Sequence, residues 1–181
     1  MEVHRIPSVN KRLCRIVAAL AAVSAILILA FNTSGWLGPE TTEATAREAS
    51  GVLTEPVFIT PLVRWLGLGL TTLYQGVLVW GLLSMRTLFK RLAAGDVFVA
   101  ETGVLLRRFG AALLAYAALR PLVKAAMSVL VTRDPVAGGA LLKVGISELE
   151  IIFALTGALI LVFGSVMADA TRIADENREI V

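Results

Sequence analysis

The hydrophobic positions of this chain fall into four long runs separated by polar stretches. The first, residues 13–31, carries a single charge, Arg15, near its start. At about 1.5 Å of rise per residue, a helix over these positions spans roughly 28 Å, close to the ~30 Å hydrocarbon thickness of a bilayer. The second run, 62–84, contains only Arg64. The third covers 104–131 and is interrupted by Arg120, Pro121 and Lys124. The fourth covers 146–168, with Glu148 and Glu150 in its first turn. Runs this long with so few charges predict transmembrane helices. The expected fold is therefore all-α. It is an integral membrane four-helix bundle, two hairpins joined by a basic cytoplasmic loop, in a single domain over 1–181.

The polar stretches add detail. Asn32-Thr33-Ser34-Gly35 ends the first helix, and Glu40, Glu43, Glu48 and Glu55 make the next segment acidic. Pro39 suits the first turn of a short helix through Ala49 that Ser50-Gly51 closes. Pro56 and Pro61 then break the chain before the second span, so 32–61 reads as an outward loop with a short surface helix. Trp65 and Trp80 are 15 residues apart, roughly 22 Å along a helix, and Trp36 follows the first span. All three are expected in the aromatic belts at the membrane interfaces. Thr132-Arg133-Asp134-Pro135 and Gly138-Gly139 read as a short turn that makes the third and fourth helices antiparallel neighbours. Small residues recur on three helices: Ala18, Ala22 and Ala25; Gly69, Thr72 and Gly76; Ala154, Gly157, Gly164 and Ala168. Such stripes let backbones approach where water no longer drives association.

Composition agrees with the pattern. Hydrophobic residues make up 57% and charged residues 17%, with mean hydropathy +0.79, against about 25% charged in soluble domains. The net charge of +3 does not point to nucleic acid, because the basic residues flank apolar runs. Their distribution sets orientation instead. Eleven of the 17 Lys and Arg lie in the amino-terminal segment, the central loop and the tail. Arg47, Arg64, Arg133 and Lys143 lie on the other side, and Arg120 and Lys124 lie within a span. Both termini and the central loop are therefore expected inside, in a multi-pass protein of the bacterial cytoplasmic (inner) membrane. A positive segment before an apolar run also begins secretory signals. This run is long for a signal core, and Leu29-Ala30-Phe31-Asn32 offers no clear small-x-small cleavage site, so an uncleaved anchor is expected.

Chemistry is sparse. One cysteine, Cys14, forbids an intrachain disulfide, and one histidine, His4, makes no metal cage with it. Phosphate-binding glycine loops, zinc helices and nucleophile triads all fail on residue types. The expectation is a protein without enzymatic activity, cofactor, metal or direct nucleic-acid contact, whose oligomeric state is open. The informative cluster is Arg120 with Lys124, four apart and so on one helix face with Tyr116 and Ser128. At a helix centre each costs about +2.5 to +3.5 kcal/mol on insertion scales, so something must offset them. A carboxylate, Glu148 or Glu150, is expected to pair with Lys124. Arg120 is expected to face the bundle interior or a watery pocket beside the Pro121 kink. Two readings remain open: a site for an anion, a lipid headgroup or a translocated proton, and an ion-paired clamp between two helices. The lack of a deeper carboxylate or histidine to continue a relay favours the clamp. The alternative is a small transporter or ion-conducting subunit.

The central loop holds the other candidate group. Met85, Leu88, Phe89 and Leu92 are expected to face the bilayer while Arg86, Lys90 and Arg91 meet anionic headgroups. Gly95 suits the left-handed residue after a helix end, with Phe98 folded back as its apolar contact. A new helix starts near Glu101 and carries Arg107 and Arg108. This reads as an interfacial elbow, and a protein-docking surface is compatible with it. The stretch Leu88-Phe89-Lys90-Arg91-Leu92-Ala93-Ala94-Gly95-Asp96-Val97-Phe98 resembles the Leu-Phe-basic-basic…Gly-x-x-Phe pattern of bacterial membrane proteins grouped as domain of unknown function 2975. Leu105-Leu106-Arg107-Arg108-Phe109-Gly110 and the tail from Ile173 to Val181 resemble that family's later segments. Val99 departs from its usual capping Thr, and Arg178-Glu179-Ile180 from its acidic-Leu-Thr. The resemblance covers roughly residues 60–181. It implies four membrane helices and a membrane partner role toward a cytoplasmic helix-turn-helix transcriptional regulator.

Overall fold

The computed structural model describes residues 8–95, 100–134, 136 and 139–179, with side chains for 11–95, 101–134, 136 and 139–173. Phe98 lies outside these residues, as do His4, Val99 and the side chains of the acidic tail. Among the described residues the chain is all-helical: α1 Ser8–Leu37, α2 Thr42–Ser50, α3 Pro61–Ala94, α4 Ala100–Thr132 and α5 Glu148–Glu179. Four of them are long and apolar enough to cross a membrane, over Lys11–Leu37, Pro61–Ala94, Glu101–Thr132 and Glu148–Ile173.

The helices outrun the apolar runs that predict them. α3 has 34 residues, about 51 Å at 1.5 Å each. Residues 85–94 are rich in Leu, Ala, Lys and Arg, all good helix formers, so α3 continues unbroken through the basic stretch. Gly95, at φ +112°, stops it, and its N–H donates to the carbonyls of Arg91 and Leu92 at 3.1 and 3.2 Å. The expected helix end at Gly95 and restart near Glu101 are observed, and what is corrected is the placing of Leu88. Residues 85–92 are the last turns of a long helix, and Leu88 is buried in protein rather than turned to lipid. α2 starts three residues later than expected from Pro39, at Thr42. The Thr41 and Thr42 hydroxyls donate to carbonyls at the end of α1, which holds the intervening turn tight.

The chain forms two compact units. The first comprises residues 1–26, 78–114 and 155–181. Its α4 and α5 segments pack backbone to backbone along four glycines. A Cβ on Gly110 would lie 2.7 Å from the Gly157 carbonyl oxygen and from the Leu161 nitrogen. One on Gly103 would lie 2.8 Å from the Ala168 nitrogen, and one on Gly164 2.8 Å from the Arg107 nitrogen. Glycines seven apart on each helix repeat every second turn, which keeps them on one seam. On α3, Gly81 receives the Ala112 methyl.

The second unit comprises residues 27–77 and 115–154. Its core gathers Trp36, Ala46, Val63, Val123, Met127 and Val131. Trp36 is fully buried, its indole filling the space where a Gly67 side chain would stand. The expectation of an interfacial Trp36 is therefore wrong. α2 folds back over the end of α1, and its Ala46 closes on the same cluster. Trp65 and Trp80 are exposed at 63% and 49%. Gly69 and Gly76 face open space, so of the small-residue stripe on α3 the two glycines make no close approach among the described residues.

Candidate functional site

The polar cluster of the second unit is organised by how the chain enters α5. Leaving α4, the chain runs back alongside it. The Leu141 N–H donates to the Thr132 hydroxyl at 2.8 Å, and the Lys143 N–H to the Ser128 hydroxyl at 2.9 Å. The Phe58 N–H takes the Val131 carbonyl at 2.7 Å, so part of the open end of α4 is closed by chain from two directions. By the time α5 begins, the chain has retreated several turns along α4. Glu150 therefore meets Arg120, with Arg120 Nη1 donating to Glu150 Oε1 at 2.9 Å.

This corrects the expected Lys124 pair. The connection is no short turn, and the residues it uses beside α4 put the first turn of α5 level with Arg120 and past Lys124. Lys124 instead lays its stem on Gly51, in the space a Cβ would occupy. Lys143 Nζ donates to the Gly51 carbonyl at 2.6 Å. Gly51 is the left-handed residue ending α2, at φ +68°. Two ammonium groups thus belong to the negative, C-terminal end of that helix. Glu148 is exposed and joins neither group.

Glu150 does a second job. Its Oε2 accepts from both the N–H and the hydroxyl of Ser147, the residue just before α5. Ser147-Glu148-Leu149-Glu150 has the sequence of a capping box, and the half of it in which the acid three residues into the helix accepts from the capping residue is formed. Both oxygens of a side chain that is 3% exposed are thereby engaged, one by the helix start and one by Arg120. The sequence signal for the box, Ser-x-x-Glu ahead of an apolar run, was present, but reading Glu148 and Glu150 only as charges passes over it.

An aromatic layer lies beside the pair. Tyr116, one turn before Arg120, has its ring 5.4 Å from Tyr74 and 5.2 Å from Phe153, the latter edge-on. Asn32 Nδ2 donates to the Thr72 hydroxyl at 2.9 Å, tying α1 to α3. Polar contacts in this unit thus join α1 to α3 and α4 to α5, and the tyrosines join α3 to α4. Trp36 Nε1 and Gln75 Oε1 are buried without a hydrogen-bond partner among the described residues.

The basic candidates belong to the first unit. Arg91 forms an ion pair with Glu101, linking the end of α3 to the start of α4. Arg86 is half-buried, while Lys90, Arg107 and Arg108 are exposed. Among the described residues no group of three or more His, Cys, Asp or Glu is placed to hold a metal. Compared with protein-family models, with curated proteins and with solved structures, the chain matches none.

Proposed function

We propose that this chain is a non-enzymatic, four-span protein of the bacterial cytoplasmic membrane, with both termini and the segment between α3 and α4 inside. The observation that carries the reading is the set of four apolar helices of 26 to 34 residues. Each exceeds the roughly 20 residues needed to cross a bilayer. The Lys and Arg excess at the termini and around residues 86–108 supports the orientation. A membrane-partner role for a helix-turn-helix regulator is supported by the resemblance of residues 88–98 to the membrane family named above. It is also supported by the exposure of Lys90 at the end of a helix that continues beyond its apolar run.

The transporter reading draws on Arg120, Lys124, Glu148 and Glu150. Buried charge within a span does mark ion pathways. Here, however, Glu150 spends one oxygen on a cap and the other on Arg120, while Glu148 is exposed. That supports a clamp between α4 and α5. The regulatory role is tested by affinity purification of the tagged chain from native membranes. A small DNA-binding protein is expected with the wild type and is expected to be lost with Lys90→Ala plus Arg91→Ala. Recovery from both contradicts docking through Lys90 and Arg91, and recovery from neither contradicts the partner role.

A further inference from the structure

Among the exposed basic side chains of the first unit, Arg107 and Arg108 are adjacent in sequence. They lie on α4 immediately before the uncharged stretch 109–119, so they mark the edge of its apolar surface. Both are exposed, and no carboxylate among the described residues forms an ion pair with either. Seven residues nearer the start of α4, the Glu101 carboxylate is already taken by Arg91.

Geometry fixes the level of Arg107. A Cβ on Gly164 would lie 2.8 Å from Arg107 Cγ, so the arginine stem crosses α5 at that glycine. The apolar run of α5 continues to Ala168, four residues or about 6 Å further along. Phe163 and Val166, on either side of Gly164, are exposed at 58% and 60%. The stem therefore lies against the apolar run of α5, and the side chain is exposed. Arg108 is the next residue, and exposed Val104 and Ala111 lie one turn to either side of the pair. An aliphatic stem on an apolar surface with its charge at the edge is the snorkelling arrangement. Two exposed guanidinium groups at that depth match a phosphate in charge.

We infer that Arg107 and Arg108 form a binding site for the phosphate of an anionic phospholipid, whose acyl chains lie on the exposed apolar side chains of α4 and α5. The site rests on the membrane-spanning reading above. It is distinct from the Lys90 and Arg91 group, which lies on another helix and has one of its charges neutralised.

The test is native mass spectrometry of the detergent-purified chain with equimolar phosphatidylglycerol and phosphatidylcholine. The wild type is expected to retain phosphatidylglycerol preferentially, and Arg107→Gln plus Arg108→Gln to cut that preference roughly thirtyfold. That is the equivalent of about 1 kcal/mol for each arginine. Lys90→Gln is expected to leave it unchanged, and Arg107→Lys plus Arg108→Lys to retain most of it. The lysine pair keeps the test decisive if the glutamine pair misfolds. Equal retention of both lipids, loss on Lys90→Gln, or displacement by millimolar inorganic phosphate overturns the site. Extraction of the chain from membranes by alkaline carbonate without detergent refutes the spanning reading itself, a separate outcome.

Discussion

Replacing Arg120 by Leu is expected to destabilise the protein by about 3–5 kcal/mol, the usual cost of stranding one member of a buried ion pair. Glu150 is 3% exposed against 27% for Arg120, so losing the arginine leaves a largely buried carboxylate without its cation. Removing both charges, Arg120→Leu with Glu150→Leu, is expected to recover most of the loss, because no uncompensated charge remains. The two roles of Glu150 separate by choice of substituent. Gln at the third position of a helix still completes a capping box, so Glu150→Gln loses only the ion pair. Glu150→Leu loses the cap as well, worth about 1 kcal/mol more. Unfolding of the purified chain in mixed micelles, followed by helical circular dichroism, reads these differences. A destabilisation by Arg120→Leu below about 1 kcal/mol contradicts the clamp, since breaking a buried pair costs several times that.

The glycine seam of the first unit gives the second large effect. Helix propensity alone favours Gly→Ala by about 1 kcal/mol. At Gly110 the added methyl would stand 2.7 Å from backbone atoms of Gly157 and Leu161, and at Gly157 2.9 Å from the Gly110 oxygen. Backbone cannot rotate aside as a side chain can, so the helices must separate along the seam. Gly110→Ala and Gly157→Ala are each expected to cost a net ~1–3 kcal/mol, the range for overpacked cores. Gly69→Ala and Gly76→Ala, which meet nothing within 4 Å, are the controls. They are expected to be neutral or slightly stabilising. The same unfolding measurement decides it, and equal effects at all four positions would refute close packing at the seam.

The number, order and approximate places of the long helices were legible because hydropathy over some twenty residues is a strong, additive signal. The ends were less so. Residues 85–94 are polar enough to leave an apolar run yet helical enough to extend α3, and hydropathy does not distinguish those two properties. Gly157 and Gly164 stood out as small residues, but their partners Gly103 and Gly110 sit in a basic stretch and declare themselves only across the α4–α5 contact. Trp36 looked interfacial by position, and the fold of α2 over it is a tertiary fact. The Arg120 site was legible as a cluster needing a carboxylate. Which cation takes it depended on how much chain the 139–147 segment lays along α4.

Orientation across the membrane is tested most directly by single cysteines in a Cys14→Ser background. Glu43→Cys stands on the exposed face of α2, and Ala94→Cys on the exposed last residue of α3. In intact cells, a membrane-impermeant maleimide is expected to label Glu43→Cys and to reach Ala94→Cys only after permeabilisation. Labelling of both from the outside, or of Ala94→Cys alone, would contradict the arrangement of four spans with the segment between α3 and α4 inside.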